Sequence, residues 1–285
     1  MSSHQRSNRR GVKPTEGWNP TVGDLIVSNW TSTVEILWLA FRFDPIFVLP
    51  VHSPAAPDPQ LSTPPASPIT HTPGRRTGTG SAAISSPATR APTAPVPIVG
   101  FREVSLLSML SATGHVVTAT QLGTSGIESL QQIRSRADRP VVVFPECTTS
   151  NGRGLLRFSE LFKDVDVPVK KFRVFLMCAR FDPPTALCPS MTHPIPSMML
   201  NPLSHIFTLT TSLIPLSMSI KLLSPTDSPS SGTFLASEFI TQGKTDDILT
   251  EACAALIAQI GKIKRVGLGW EDKRAFLEFY RGKRR

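Results

Sequence analysis

Four consecutive apolar residues, Val141, Val142, Val143 and Phe144, stand between Arg139-Pro140 and Pro145. The run is short, rich in β-branched side chains and free of polar alternation. That pattern reads as a strand buried on both faces, and such strands belong to parallel sheets covered by helices. The rest of the chain must therefore supply further strands and two layers of helix. Asp24–Ser28, Ile46–Val51, Phe172–Ala179 and Ser217–Leu223 are the other strand candidates. Helices are predicted from about Thr33 to Phe43, capped by Thr31 or Ser32, and over Ser105–Ala112, Gly126–Arg136, Pro202–Thr211, Asp246–Ile260 and Glu271–Tyr280. For the fifth, Thr245 is the predicted N-cap and Gly261 the C-cap. Strands alternating with helices define an α/β domain with a mixed, largely parallel sheet flanked by helices.

One segment breaks this pattern. Residues 51–99 hold 11 of the 27 prolines and 13 Ser or Thr. Such a composition buries too little apolar surface to offset its chain entropy. We expect a disordered insertion over 51–97, carried by a single domain spanning 20–285. Loop-closure cost grows only slowly with length, so a domain can carry one. Residues 1–19 are polar and basic and are expected to form a flexible N-terminus without the apolar core of a signal peptide.

The chain has 30 Lys and Arg against 21 Asp and Glu, a formal net charge of +9. Nucleic acid, anionic lipid and anionic substrates all fit such an excess. No aromatic-plus-basic RNA motif and no helix-turn-helix pattern supports nucleic acid. The four cysteines, Cys147, Cys178, Cys188 and Cys253, show neither metal-ligand spacing nor a disulfide framework, so no metal is expected. No apolar stretch is long enough for a membrane span. The uncharged run Ile206–Ile220 is too short and contains Pro215.

The stretch after the buried strand, Pro145-Glu-Cys-Thr-Thr-Ser-Asn-Gly-Arg-Gly154, carries the chemistry. In α/β sheets ligands bind beyond the carboxyl ends of strands. Small hydroxyl residues and glycines let backbone N–H groups approach an anion, and Arg153 adds a positive fork. A phosphate-like ligand is one reading. A tight loop with a structural Glu146–Arg153 ion pair is the other.

Phe144-Pro145-Glu146-x-Thr148 followed by Ser150-Asn-Gly-Arg153 resembles the third motif of the lysophospholipid (1-acylglycerol-3-phosphate) acyltransferases, usually Phe-Pro-Glu-Gly-Thr. The longer string is similar to the fungal lysophosphatidic acid:oleoyl-CoA acyltransferase group. Asn29-Trp30-Thr31-Ser32-x-x-Glu35 occupies the place of the first motif, Asn-His-x-Ser-x-x-Asp. Gly100-Phe101-Arg102 stands where the second motif supplies an arginine, and Phe175–Phe181, with Arg180, stands near the fourth. The resemblance covers residues 20–50 and 98–280. It implies a glycerol-3-phosphate acyltransferase-like fold and transfer of a fatty acyl group from acyl-CoA, as co-substrate, to a lysophospholipid such as lysophosphatidate. It further implies a membrane surface as partner, no nucleic acid and no cofactor beyond acyl-CoA. The expected location is the cytosolic face of the endoplasmic reticulum or of a lipid droplet.

The resemblance also assigns roles. In the family the first-motif histidine takes the proton of the attacking hydroxyl, and the aspartate orients it. Here Trp30 holds the histidine position, and an indole N–H cannot accept a proton. Glu35 is then the remaining candidate base. Phe144, Pro145, Glu146, Cys147, Thr148, Arg153 and Arg102 are the expected substrate-binding residues, with Cys147 in place of the usual glycine. Two readings of Trp30 follow: a working site with another base, or a lipid-binding adaptor without catalysis.

Overall fold

A computed structural model describes residues 17–52, 96–116, 126–163, 165–185, 188–232, 234–235 and 247–282. Its centre is a six-stranded sheet of β1 (Leu25–Ser28), β2 (Ile46–His52), β3 (Ile98–Val104), β4 (Val141–Val143), β6 (Val174–Phe181) and β7 (Met218–Leu222), in the order β3-β2-β4-β1-β6-β7. The pairings β1–β4, β1–β6 and β2–β4 are parallel, and the outer pairings β2–β3 and β6–β7 are antiparallel. The mixed, largely parallel α/β class expected from the sequence is the one observed. A short parallel pair, β5 (Gly154–Leu155) and β8 (Lys264–Arg265), lies apart from it.

Among the described residues six helices flank the sheet: α1 (Thr33–Phe43), α2 (Leu106–Ala112), α3 (Leu130–Arg136), α4 (Leu203–Thr210), α5 (Ile248–Gly261) and α6 (Trp270–Gly282). Alternate residues of β1 and β4 feed two cores, as a strand buried on both faces must. Leu25, Val27, Val141 and Val143 pack with Leu130 and Ile133 of α3 and Leu249, Cys253 and Ile257 of α5. Ile26 and Val142 pack on the other side with Ile36 and Leu39 of α1 and Met109 of α2. Burying each such aliphatic side chain contributes about 1.5–3 kcal/mol.

Several boundaries move for local reasons. α3 begins at Leu130, not Gly126, because Ser129 and Gln132 form a capping box and Glu128 instead pairs with Phe101. The predicted cap Thr245 lies outside the described residues, and Asp247 caps α5 through the Thr250 N–H at 2.9 Å. Gly261 closes α5 against β6, where an added Cβ would lie 2.5 Å from Cys178 Sγ, and Lys262 takes the left-handed cap at φ 50°. Of the expected insertion, Val51 and His52 belong to β2 and residues 96–97 lead into β3, while 53–95 lie outside the described residues. Of the expected flexible N-terminus, 1–16 lie outside them. Trp18, however, is buried, with its ring 5.3 Å from Phe43 and 5.2 Å from Phe175.

Candidate functional site

The two best-defined sequence motifs are 116 residues apart, and both leave the carboxyl ends of adjacent strands. Asn29 to Ser32 follow β1, and Phe144 to Ser150 follow β4. Asn29 fixes the first turn. Its amide donates to the Ala179 carbonyl at 2.9 Å and accepts the Ala179 N–H at 2.8 Å, which ties the end of β1 to β6. The Trp30 N–H then donates to Glu146 Oε2 at 2.7 Å, and the Ser150 N–H donates to the Trp30 carbonyl at 2.8 Å. Glu146 Oε1 accepts the Leu156 N–H at 2.8 Å. One buried carboxyl group thus holds the β1 loop, the β4 loop and the exit from β5 together.

Glu35 performs a second closure inside the first motif. It is fully buried at N3 of α1. Oε1 accepts the N–H groups of Thr31 and, at 3.1 Å, Ser32, while Oε2 accepts the Thr31 hydroxyl at 2.7 Å. Together with the Ser32 side chain this is a capping box. Burial pushes the Glu35 carboxyl up to about 8, against those hydrogen bonds and with help from the negative charge of Glu146. The expected base is therefore a positioning group, because its oxygens are spent on its own helix start.

Trp30 is fully buried, its ring 5.3 Å from Phe144, and its indole N–H has no hydrogen-bond partner among the described residues. Pro145 passes its carbonyl to the Ser159 N–H at 3.0 Å. Cys147 adopts φ 56°, the left-handed region that glycine enters without a Cβ penalty. Its thiol donates to Ser159 Oγ at 3.2 Å, and burial pushes it up to about 12. The Thr148 hydroxyl donates to the His115 carbonyl at 2.9 Å. Arg153 is exposed beyond the loop. The Glu146–Arg153 ion pair does not form, since both Glu146 oxygens serve backbone N–H groups. Arg102 is half-buried on β3, two strands from β4, opposite Leu49 and one step beyond the Val48–Val143 row toward the carboxyl ends. The expected row of free N–H groups is partly spent: those of Ser150, Gly152 and Arg153 donate to Trp30, Ser150 and Asn151.

Two participants come from outside the motifs: Lys273, which no sequence pattern marks, and His193, which in sequence reads as a loop histidine and not as a base. Lys273, from the distant α6, sends Nζ to the Thr149 carbonyl at 2.6 Å and to Thr149 Oγ1 at 3.1 Å. Burial lowers it to about 7, opposed by the charge of Glu146. The same opposition, with the two N–H donors, restrains Glu146, which burial raises to about 7. His193 is buried over the first motif, its N–H donating to the Thr31 carbonyl at 2.7 Å and its carbonyl accepting the Thr149 hydroxyl at 2.8 Å. Its Nε2 meets Asn201 Oδ1 at 2.7 Å, and burial lowers its pKa. His115 is likewise lowered by burial, then by Arg281 and Lys273. Only topology brings these residues to the strand ends; no local pattern around them announces it. A groove of about 610 Å³ opens between the start of β3, α3 and residues 160–172; Gly100 and Phe101 of the second motif line it, and the residues of the first and third motifs do not.

Comparison of the chain with protein-family models, curated proteins and solved structures finds no match.

Proposed function

We propose that the protein transfers a fatty acyl group from acyl-CoA to the free hydroxyl of a lysophospholipid, with lysophosphatidate as the first acceptor to try. The observation that carries this reading is the Glu146–Trp30 hydrogen bond. It joins the two motifs by which the sequence resembles the lysophospholipid acyltransferases, at the strand ends where α/β proteins bind ligands. The backbone at Cys147 adds support, since its left-handed φ is the conformation for which the family's glycine is suited.

In the reaction the acceptor oxygen forms a bond to the thioester carbon. The carbon–sulfur bond breaks, and the hydroxyl proton ends on the coenzyme A thiol. Glu146 and Glu35 hold the loops rigid, and the exposed Arg153 and half-buried Arg102 are the cations available to phosphate groups. With Trp30 at the histidine position and both Glu35 oxygens occupied by Thr31 and Ser32, the site lacks the family's proton acceptor. General-base catalysis supplies roughly 10²–10⁴-fold, so slow turnover is expected. Purified protein incubated with oleoyl-CoA and several lysophospholipids tests the proposal. Formation of the diacyl product supports it, and no product with any acceptor overturns it.

The complete burial of Trp30 favours a second reading, a lipid-binding adaptor that does no chemistry. Trp30→His separates the two. A large gain in turnover identifies a weakened catalytic site, and a loss identifies Trp30 as part of a working one. Absence of turnover in both proteins, with lipid binding retained, identifies the adaptor.

A further inference from the structure

Between Asp182 and Lys221 the chain contains no Asp, Glu, Lys or Arg. This stretch leaves the sheet after β6 and returns as β7, antiparallel to it. Its inner side is fastened to the site. The Ser32 hydroxyl donates to the Met191 carbonyl at 2.6 Å, His193 bridges Thr31 and Thr149, and the Asn201 amide donates to the Thr113 carbonyl at 2.8 Å. Its outer side is apolar and open to solvent. Met199, Leu200, Leu203 and Phe207 are exposed, Phe207 to 68% and Met199 to 78%, and Leu213 is completely exposed. α4, at the middle of this stretch, buries none of its residues. Singly scattered exposed apolar residues need no explanation, but here Leu203 and Phe207 lie one turn apart on α4, with Met199 and Leu200 just before it.

The charges bordering it are three exposed cations, Arg153, Arg180 and Lys221, against one exposed carboxylate, Asp182. Arg180 and Lys221 are exposed near the excursion's base, on adjoining strands with Cys178 opposite Lys221 and Ser219 opposite Arg180. Arg153 is exposed beside Gly152, which faces Thr192 of the excursion. The carboxylate at the base, Asp182, accepts the Ser217 hydroxyl. The two histidines of the excursion, His193 and His205, have pKa values lowered by burial, which disfavours their charged forms. An uncharged apolar face bordered by cations is complementary to the surface of an anionic bilayer, where apolar side chains enter the headgroup boundary and Lys and Arg meet the lipid charge. The eight-residue α4 is far too short to span, and among the described residues no helix is long and apolar enough to cross a membrane.

We propose that the outer side of the 183–220 excursion is a membrane-docking surface, lying in the interface of an anionic bilayer directly above the strand-end site. Its functional meaning rests on the lipid chemistry proposed above, although the surface itself stands on separate observations. Docking would place the Thr31, Thr149 and His193 contacts at the lipid boundary, so that an amphiphilic acceptor reaches the site without leaving the membrane.

Flotation of the full-length protein with vesicles tests this. Binding is expected to vesicles of equal parts phosphatidylcholine and phosphatidylserine, and only weakly to phosphatidylcholine alone. Phe207→Glu combined with Leu213→Glu changes only exposed positions, and its urea midpoint should match the parent. It should weaken binding by at least about tenfold per side chain. Arg180→Glu combined with Lys221→Glu should weaken binding to the anionic vesicles by roughly fivefold per charge, an effect that high salt abolishes. Vesicle binding unchanged in the apolar double variant overturns the proposal. So does a wild-type dimer, seen by sedimentation and abolished by the same substitutions, in a protein that ignores vesicles. Acyl transfer measured in detergent micelles keeps the two proposals apart. Turnover without vesicle binding overturns the docking surface alone, and vesicle binding without turnover overturns the catalytic reading alone.

Discussion

Replacing Glu146 should cost stability in a graded way that the geometry fixes in advance. Its two oxygens accept the N–H groups of Trp30 and Leu156 at 2.7 and 2.8 Å, and the carboxyl group is fully buried. A buried donor left without a partner costs about 1–3 kcal/mol. Glu146→Ala strands both donors, so the expected loss is about 2–6 kcal/mol, a large part of the roughly 5–15 kcal/mol that holds a domain together. Glu146→Gln keeps one acceptor and turns an amide NH₂ toward the other N–H. One bond is lost, and the expected cost is about 1–3 kcal/mol. Urea unfolding followed by tryptophan fluorescence reads both values, because Trp18 and Trp30 are buried in the core. The alanine variant should lose about twice what the glutamine variant loses. If both stay within about 0.5 kcal/mol of the parent, a range typical of inconsequential surface changes, the carboxyl group is not the staple the distances indicate.

Glu35 predicts a pH dependence. Its folded-state carboxyl titrates near 8, above the usual 4.5, so between those values the folded chain keeps a proton that the unfolded chain has lost. Stability from this group is complete below the unfolded value and falls as pH rises, by about 1.4 kcal/mol per pH unit. Glu146 adds a similar fall up to about 7, whereas Lys273, lowered to about 7, favours the folded chain as pH rises above that value. Glu35→Gln should flatten the fall between about pH 5 and 8, and an unchanged slope in urea midpoints would contradict the assignment. The cysteines predict a labelling order. Cys147, Cys178 and Cys253 are buried, Cys147 with its thiol pushed up to about 12, while Cys188 is half-buried. A thiol reagent at neutral pH should modify Cys188 first and the other three only on unfolding, as peptide mass spectrometry would show.

Much of this architecture was legible because it depends on local signals. The Val141–Phe144 run announced a doubly buried strand, observed over Val141–Val143, and Thr31 or Ser32 announced a helix start, which Ser32 caps. The start of α3 was misread because Ile127 extends the helical spacing, whereas the capping box at Ser129 decides where the helix begins. At the site, the juxtaposition of the two motifs followed from strand order, but the use of each polar atom did not. Glu35 looked like a base since its residue type permits it; only its hydrogen bonds show that it is occupied. Lys273 carries no mark in the sequence and His193 reads there as an ordinary loop histidine, because their places depend on how α6 and the 183–220 excursion fold back, which no short-range pattern encodes.

The antiparallel pairing of β2 with β3 has a consequence for how the gene can vary. Val51 lies opposite Gly100 and His52 opposite Ile98, so the residues that bracket 53–95 are neighbours in the sheet. Whatever joins them needs only to span one interstrand gap of about 5 Å. The join is thus a splice point in the protein, where the encoded connection can lengthen or contract without moving a strand. Exchanging 53–95 for a turn about one-eighth as long should leave the sheet intact and, through loop closure alone, raise stability by about 2 kcal/mol. Because β2 runs parallel to β4 and β4 to β1, the join opens at the same end of the sheet as the Glu146 staple, and His52 beside it stacks on Trp270 of α6 at 4.0 Å, so whatever fills it borders the site.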